Sequence, residues 1–299
     1  MKKIGKFIKN ILCIVLALIM LIPCLPIYSI AASQKFDQKM QRNMKNYAGV
    51  AFDDENLYYS EVVETFYQNE PEEYDSNRLI QKNLATGEEK VIIDNTPISR
   101  FTVYDGYVYY HFWADASIYR LKIGTNRIET VYDDIYEGNF LICNSKIVLS
   151  TWGQDQFEKV LIMNLDGSGV IEPNIGEVYD FYLMGDKVVF QNGSACYELN
   201  LNTGKAKLLF ELEDSTLNLF GASSQYLYYS NYNYWSYFDN IGTKVFRYDL
   251  NKKKLESLYI YSEAAYEPFV IDDILFLYDS KEDNVYNLYY IENGSKVNS

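Results

Sequence analysis

Short hydrophobic runs alternate with polar turns along almost the whole chain after residue 46. Six runs open with an aliphatic residue that is followed by two further strand-forming residues: Leu57, Val108, Ile147, Val188, Leu227 and Ile274. Successive members are 51, 39, 41, 39 and 47 residues apart. A Phe stands seven residues before four of them: Phe101, Phe140, Phe181 and Phe220. A recurring period of this length, with β-forming residues at fixed offsets, indicates an internal repeat.

Each repeat also contains a polar turn, followed by a further short apolar run. The turns are Leu84–Gly87, Ile123–Asn126, Leu165–Ser168, Leu201–Gly204, Leu250–Lys253 and Ile291–Gly294. Because Gly, Asn and Asp accept positive φ, these turns predict β-hairpins, and a fourth strand is expected after each one. Four antiparallel strands in about 40 to 50 residues are typical of a propeller blade. The pattern therefore predicts an all-β fold, a six-bladed β-propeller over residues 47–299.

The first 46 residues have a different pattern. Lys2, Lys3, Lys6 and Lys9 precede an apolar run, and two prolines and a group of small residues (29–33) follow it. Basic, apolar and small-residue regions in this order predict a cleaved secretory signal peptide over 1–32, so that the chain is secreted or otherwise extracytoplasmic. The alternative is a retained membrane anchor, because 11–32 is nearly long enough to span a bilayer. A polar linker or short helix is expected over 33–46.

Charge and composition narrow the classes of partner. The chain has 27 Lys and Arg against 41 Asp and Glu, and loss of the four signal lysines would leave a net charge of −18. So acidic a chain does not fit a nucleic-acid-binding protein and repels anionic membrane surfaces. A single His makes His-based zinc sites improbable. Cys143 and Cys196 remain after signal removal, either as one disulfide or as buried free thiols.

The strand type Asp105–Tyr110 and the strand end Tyr248–Leu250 resemble those of six-bladed TolB-like propellers, and within them the low-density-lipoprotein-receptor-type repeats. The resemblance covers essentially the whole chain after the signal. The strict Tyr-Trp-Thr-Asp motif of the receptor family is missing, as is the Trp-Asp dipeptide of other propellers. The resemblance implies the propeller fold and a binding role, and it transfers no catalytic residue.

The candidate binding site lies in the loops between second and third strands, which share one face of a propeller. All three Trp fall in these loops, and the longest loop, Ser60–Asn77, carries three aromatics and five Glu. Aromatics among polar groups form surfaces that stack against sugar rings or peptide side chains, although they also serve as packing between blades. The predicted ligand-binding residues are Trp113, Trp152, Trp235, Tyr234, Tyr237, His111, Asp115, Asp155 and Asp239.

These features favour a secreted, non-enzymatic binding propeller that recognises a glycan or a protein segment at the cell envelope. Two alternatives stay open: a carboxylate-dependent glycan-active enzyme on the same face, and an envelope-assembly scaffold without a small ligand. No catalytic residue is assigned, because no Gly-x-Ser-x-Gly elbow is present and His111 matches polar strand-end residues of other repeats. No cofactor is expected, although acids between the blades could hold Ca²⁺.

Overall fold

The computed structural model describes residues 50–66, 74–112, 116–133, 138–152, 158–176, 178, 180–214, 217–223, 225–231, 244–260, 266–271, 274–279 and 285–290. All of them belong to the same compact unit of the chain. The predicted signal peptide and linker, 1–46, lie outside the described residues. So does the sixth predicted turn, Ile291–Gly294.

The described residues form twenty-two strands in six antiparallel sheets, numbered here in chain order. Sheet 1 contains β1 (Val50–Phe52), β2 (Asn56–Phe66), β3 (Tyr74–Asn83) and β4 (Glu89–Thr96). Sheet 2 contains β5 (Ile98–Tyr104), β6 (Tyr107–Phe112), β7 (Ser117–Lys122) and β8 (Ile128–Tyr132). Sheet 3 contains β9 (Gly138–Cys143), β10 (Lys146–Trp152) and β11 (Glu158–Asn164).

The second half of the chain repeats this plan. Sheet 4 contains β12 (Phe181–Met184), β13 (Lys187–Asn192), β14 (Ala195–Leu199) and β15 (Ala206–Glu211). Sheet 5 contains β16 (Asn218–Ala222), β17 (Tyr226–Ser230), β18 (Lys244–Asp249) and β19 (Lys254–Ile260). Sheet 6 contains β20 (Tyr266–Ile271), β21 (Ile274–Asp279) and β22 (Val285–Tyr290). Every sheet is built from consecutive strands, so β1 belongs to sheet 1 and pairs with β2.

The hydrophobic core consists of layers between consecutive sheets. Val108 of β6 packs towards sheet 1, whereas its neighbour Tyr109 packs towards sheet 3. In the same way, Val188 of β13 packs towards sheet 3 and Val189 towards sheet 5. Successive side chains of a strand point to opposite faces, so a strand between two sheets needs hydrophobic residues at every position. This burial explains the unbroken apolar runs that mark each repeat.

Side-chain capping shapes the hairpins between third and fourth strands. Oδ1 of Asn83 accepts the N–H groups of Ala85 at 3.0 Å and Thr86 at 2.9 Å. Asn200 holds the corresponding two N–H groups of its own turn at 3.0 Å each, and Asp249 does so at 2.9 and 3.0 Å. A short polar side chain that bonds the backbone two and three residues ahead closes a tight turn.

Asp249 makes this turn with a fully buried carboxylate. The hydrogen bond from the Lys252 backbone N–H lowers the pKa of the Asp249 carboxyl, against the opposing effect of burial. The Lys252 ammonium also lies 3.2 Å from Oδ2 of Asp249. The negative charge therefore has partners within the turn itself.

Sheet 3 departs from the predicted plan, because its fourth strand is reduced to one antiparallel bridge between Ile162 and Ile171. The hydrogen bonds of that bridge measure 2.9 and 2.8 Å. Gly169 precedes the bridge at φ +64°, and the buried Pro173 follows it. Pro has no N–H to give to a ladder, so the segment leaves the sheet at this point. The prediction of a fourth strand is wrong for this repeat in the described residues.

The predicted long loop of the first repeat is also largely β-structure. β2 runs to Phe66 and β3 starts at Tyr74, and the two remain paired from Asn56–Asn83 to Phe66–Tyr74. The hydrophobic pattern did not predict this extension, since hydrogen bonding between the two strands continues beyond the last buried pair. Sheet 1 thus carries a long hairpin where a loop was expected.

The turn at 249–253 offers a test of backbone strain. Lys253 has φ +52°, at the position where the equivalent turns have Gly87 at +72° and Gly204 at +68°. Because a side chain costs about 1 kcal/mol in this region, Lys253→Gly should raise the free energy of unfolding by about that amount. Urea denaturation measures the change. Lys254→Gly, at an exposed strand position of the same hairpin, should give no gain, and an equal gain there would contradict the explanation.

Cys143 and Cys196, the two cysteines among the described residues, are buried free thiols. Burial raises the pKa of Cys143 to about 12 and that of Cys196 to about 11. Only the thiolate reacts, so neither residue should be labelled by a thiol reagent at mildly alkaline pH in the folded protein. Both should be labelled in denaturant, as read by peptide mass spectrometry. Rapid labelling of either one in the folded state would contradict the burial.

Candidate functional site

The structure describes two of the predicted ligand-binding residues. Trp152 ends β10, where its backbone pairs with Glu158 of β11. His111 lies near the end of β6 and is 3% exposed. The other predicted residues lie outside the described residues: Trp113, Asp115, Asp155, Tyr234, Trp235, Tyr237 and Asp239.

The strand order fixes where the three Trp occur along the fold. Trp113 falls between β6 and β7, and Trp235 falls between β17 and β18. Trp152 closes β10, directly before the connection to β11. In each of these sheets the connection joins the second strand to the third. Such connections leave the sheets at one end, opposite to the hairpins that join third and fourth strands.

His111 occupies a position whose equivalents bind the backbone of the next sheet. Ser150 lies three residues after Ile147, as His111 lies three after Val108, and its Oγ donates to the Val178 carbonyl at 2.6 Å. Val178 leads into β12 of sheet 4. A residue at this position can therefore link the end of a second strand, by a hydrogen bond, to the segment that leads into the first strand of the next sheet.

Gln191 makes the same connection from sheet 4 to sheet 5. Its Nε2 donates to the Leu217 carbonyl at 2.8 Å, and its Oε1 accepts the Leu219 N–H at 2.6 Å. In sheet 1 this role falls to Asn77 of β3, whose Nδ2 donates to the Ile98 carbonyl at 3.0 Å.

The three accepting carbonyls share one register. Ile98, Val178 and Leu217 each lie three residues before the Phe of the next first strand. His111 occupies the equivalent position of β6, and residue 137, which lies three residues before Phe140, is outside the described residues. A buried polar side chain needs such a partner, so the position favours a structural role for His111 over that of a base.

Arg120 and Arg247 form hydrogen bonds and ring contacts within their own sheets, and Arg120 also bonds the next sheet. Arg120 of β7 donates to Glu129 of β8 at 2.6 Å, and its guanidinium lies 5.0 Å from the centre of the Tyr107 ring. Its Nη1 donates to the Leu165 carbonyl at 3.0 Å, which connects sheet 2 to the last hairpin of sheet 3. The hydrogen bond from Arg120 lowers the pKa of Glu129.

Sheet 5 repeats this arrangement. Arg247 of β18 bonds Glu256 at 3.1 Å and lies 4.5 Å from the centre of the Tyr226 ring. The hydrogen bond from Arg247 likewise lowers the pKa of Glu256. Stacking plus a carboxylate partner holds each guanidinium against its own sheet.

Among the described residues, no group of three or more His, Cys, Asp or Glu side chains is placed to hold a metal ion. Asp94 of β4, one of the acids predicted to lie between the blades, accepts a hydrogen bond from Arg78 at 3.0 Å. Several acids that were predicted as Ca²⁺ ligands lie outside the described part of the chain. The Ca²⁺ expectation therefore stays a prediction.

The structure reveals a groove that the sequence did not predict. It has a volume of about 570 Å³ and runs between the segment after the Ile171 bridge and sheet 4. One wall carries Phe190 and Tyr197, whose rings stack at 5.3 Å between centres. Asn192 also lines the groove, and its Nδ2 donates to the Ile175 carbonyl at 3.0 Å, which joins the two walls.

Gly204 borders the same groove and allows the close approach of its two walls. An added Cβ would lie 3.0 Å from Cγ2 of Ile171 and 3.3 Å from Cγ of Pro173. The groove exists because sheet 3 lacks a full fourth strand. The sequence does contain an indication that the fourth strand of sheet 3 is interrupted, since Gly169, Pro173 and Gly176 fall within the expected strand.

No protein-family model and no curated protein matches the sequence. Several solved structures are similar to it in fold. The acylaminoacyl peptidase of Pyrococcus horikoshii is 13% identical over 85% of this chain and 46% of its own, with a TM-score of 0.56. The β-propeller domain of the Trilobed protease from Pyrococcus furiosus, described as having an open velcro topology, is 14% identical over 80% of both chains, with a TM-score of 0.55.

TolB from Acinetobacter baumannii is 14% identical over 74% of this chain and 58% of its own, with a TM-score of 0.52. The chain thus spans about half the length of the peptidase and of TolB. At these identities the similarity concerns the fold alone. Together with the antiparallel sheets of consecutive strands, it confirms the prediction of a TolB-like β-propeller.

The contacts of Gln191 allow the connection between sheets to be tested. Gln191→Ala removes hydrogen bonds to Leu217 and Leu219 and leaves those buried backbone groups unpaired. We expect a loss of about 2 kcal/mol in the free energy of unfolding, measured by urea denaturation. Gln225→Ala, a control whose Nε2 bonds only the Tyr226 hydroxyl at 3.0 Å, should cost much less. Equal losses in both variants would contradict the role assigned to Gln191.

Proposed function

We propose that the protein is an exported, non-enzymatic binding propeller that recognises a glycan or a protein segment through one face. That face consists of the connections between second and third strands, here called the loop face. It includes the predicted residues Trp113, Trp152 and Trp235. The sheets serve as a rigid frame, and the connections supply the contacts.

One observation carries this proposal: each of the three Trp positions falls at a connection between a second and a third strand. The long β2–β3 hairpin lies at a connection of the same kind. Trp and Tyr are the residues that most often anchor binding surfaces, because they bury a large area at low entropic cost. The strands themselves contain no other Trp, so these residues are not needed for the repeat pattern.

We also propose that the six sheets are the six blades of one closed ring. The strand order supports this, since each sheet follows the previous one along the chain and packs against it. Export rests on the signal-like segment 1–32, with Lys2, Lys3, Lys6 and Lys9 before its apolar run. No helix in the described part of the chain is long and apolar enough to cross a membrane.

The test is a titration of the exported chain with soluble cell-wall glycans, with and without Ca²⁺, read by Trp fluorescence. A saturable change with one glycan class is expected if the ligand is a glycan. Calorimetry on a variant with Trp113→Ala, Trp152→Ala and Trp235→Ala should then show affinity weakened by at least about a hundredfold. Removal of aromatic anchor residues causes losses of binding free energy of this size.

Tyr104→Ala, on a hairpin at the opposite end of the sheets, is the matched control and should bind as the parent does. The circular dichroism spectrum must stay unchanged in all variants. Unfolding of the triple variant would show that the Trp residues are packing between blades. A folded triple variant that binds normally would overturn the loop face as the site.

A further inference from the structure

The groove beside sheet 4 has walls that touch at two places. At the first, Nδ2 of Asn192 donates to the Ile175 carbonyl at 3.0 Å. At the second, the backbone of Gly204 lies so close to Pro173 that an added Cβ would be 3.3 Å from Cγ of the proline. These contacts fix the separation of the walls, so the space of about 570 Å³ between them exists before any ligand binds.

The dimensions of the groove fit a small ligand. Asn192 ends β13, whereas Val188, four residues earlier, pairs with Leu199 just before the hairpin that contains Gly204. At about 3.3 Å per residue, the two contacts between the walls are therefore at least about 13 Å apart along the sheet. The volume lies within the range of about 300 to 1,000 Å³ that is typical of sites for small molecules.

An aromatic ring in a fixed orientation lines the groove. The Tyr197 ring stacks on the buried Phe190 ring, with 5.3 Å between centres and 17° between planes. Tyr197 is itself only half-buried, so part of its ring stays accessible from the groove. The negative face of an aromatic ring attracts the C–H groups on the apolar side of a sugar ring.

The equivalent ring pair of sheet 2 is packed rather than open. Tyr110 and Tyr119 pair across β6 and β7, as the two groove rings do across β13 and β14, and they stack at 5.7 Å. Both belong to a core cluster with Ile92 and Ile93 of β4, the fourth strand of sheet 1. Where sheet 1 has β4, the described part of sheet 3 has the single bridge at Ile171. The groove is therefore a local departure from the repeat.

Groups that form hydrogen bonds lie on both walls. Asn174 belongs to the wall formed by 172–175, whereas Asn192 and Thr203 belong to the side of sheet 4. The bond of Asn192 to Ile175 uses one N–H of its amide, which leaves the second N–H and Oδ1 for a ligand. The Thr203 hydroxyl accepts a backbone N–H at 3.4 Å and can still donate. Groups that both donate and accept match the hydroxyls of a sugar.

The charges that line the groove balance each other. Glu172 belongs to one wall and Lys205 to the other. The described lining thus carries one acid and one base, whereas the whole chain has 41 acids against 27 bases. A balanced lining selects neither an anion nor a cation. Both groups can instead bond hydroxyls, the carboxylate as acceptor and the ammonium as donor.

We propose that this groove binds a short neutral saccharide of one or two rings. The apolar side of one ring lies on Tyr197, and its hydroxyls bond the amides and the hydroxyl around it. The site goes beyond the proposed function and does not rest on it, because the three Trp positions belong to connections of sheets 2, 3 and 5.

The experiment is saturation-transfer difference NMR on the exported chain, titrated with cellobiose, maltose and N,N′-diacetylchitobiose. Glycylglycine, a small zwitterion, is the comparison. We expect saturable transfer to at least one of the disaccharides, strongest at the C–H groups on one side of a ring. Binding of glycylglycine should be at least about tenfold weaker, because the stacking contact is missing.

Two variants locate the saccharide in the groove. Tyr197→Leu removes the aromatic ring, and Asn174→Ala with Thr203→Ala removes two exposed polar groups without a change to the core. Each should weaken disaccharide binding about tenfold, or about 1.4 kcal/mol. Tyr119→Leu is the matched control, because it removes the equivalent ring from sheet 2, and it should bind as the parent does. If circular dichroism shows that Tyr197→Leu is unfolded, the double variant decides.

Four results would overturn the inference: no saturable binding of any of the three disaccharides, equal binding of glycylglycine, normal binding by the double variant, or an equal loss in Tyr119→Leu. The triple Trp variant leaves the groove intact and should bind the disaccharide normally. Loss of binding in that variant would assign the saccharide to the loop face, which supports the proposed function and contradicts the groove. Conversely, a triple variant that still binds all its ligands, together with a loss in the groove variants, supports the groove and contradicts the loop face.

Discussion

Burial of both faces of the second strand organises the packing of the sheets. In β6, Val108 packs against sheet 1 and Tyr109 against sheet 3, and in β13 Val188 and Val189 divide in the same way between sheets 3 and 5. No sheet can bury its apolar side chains alone, so each is stable only when a neighbour covers it. The order of the chain then follows, because the nearest available neighbour is the next repeat.

Polar side chains supplement these layers where strands end. Ser150 and Gln191 donate hydrogen bonds to the carbonyls of Val178 and Leu217, two residues that lead into the next sheet. Arg120 reaches from sheet 2 to the Leu165 carbonyl of sheet 3. A backbone group at a sheet boundary has no ladder partner, so a side chain from the preceding sheet supplies one. The single histidine occupies one of these boundary positions, which accounts for its burial better than a catalytic role does.

The frame leaves the connections free to differ, and function is expected there. Hairpins between third and fourth strands are short and closed by side chains such as Asn83, Asn200 and Asp249. The connections at the other end include the three Trp positions and the long β2–β3 hairpin of sheet 1. The groove beside Gly204 shows a different source of variety, since it arises from the loss of a fourth strand in sheet 3. Variation in strand pairing thus produces both the long β2–β3 hairpin and the groove.

The repeat, the all-β class, the position of each second strand and the first five turns follow from the amino-acid sequence alone. Each of these rests on side-chain types at short range: apolar pairs, a preceding Phe, and Asn, Asp or Gly at positive φ. The sequence could not determine how far a hairpin continues past the core, as at Glu61–Phe66, because backbone pairing there needs no particular side chain. Nor could it show the groove at Pro173 or the carbonyls that Ser150 and Gln191 bind. Those depend on where one sheet meets the next, because the packing of the sheets sets the distances between residues that are far apart in the chain.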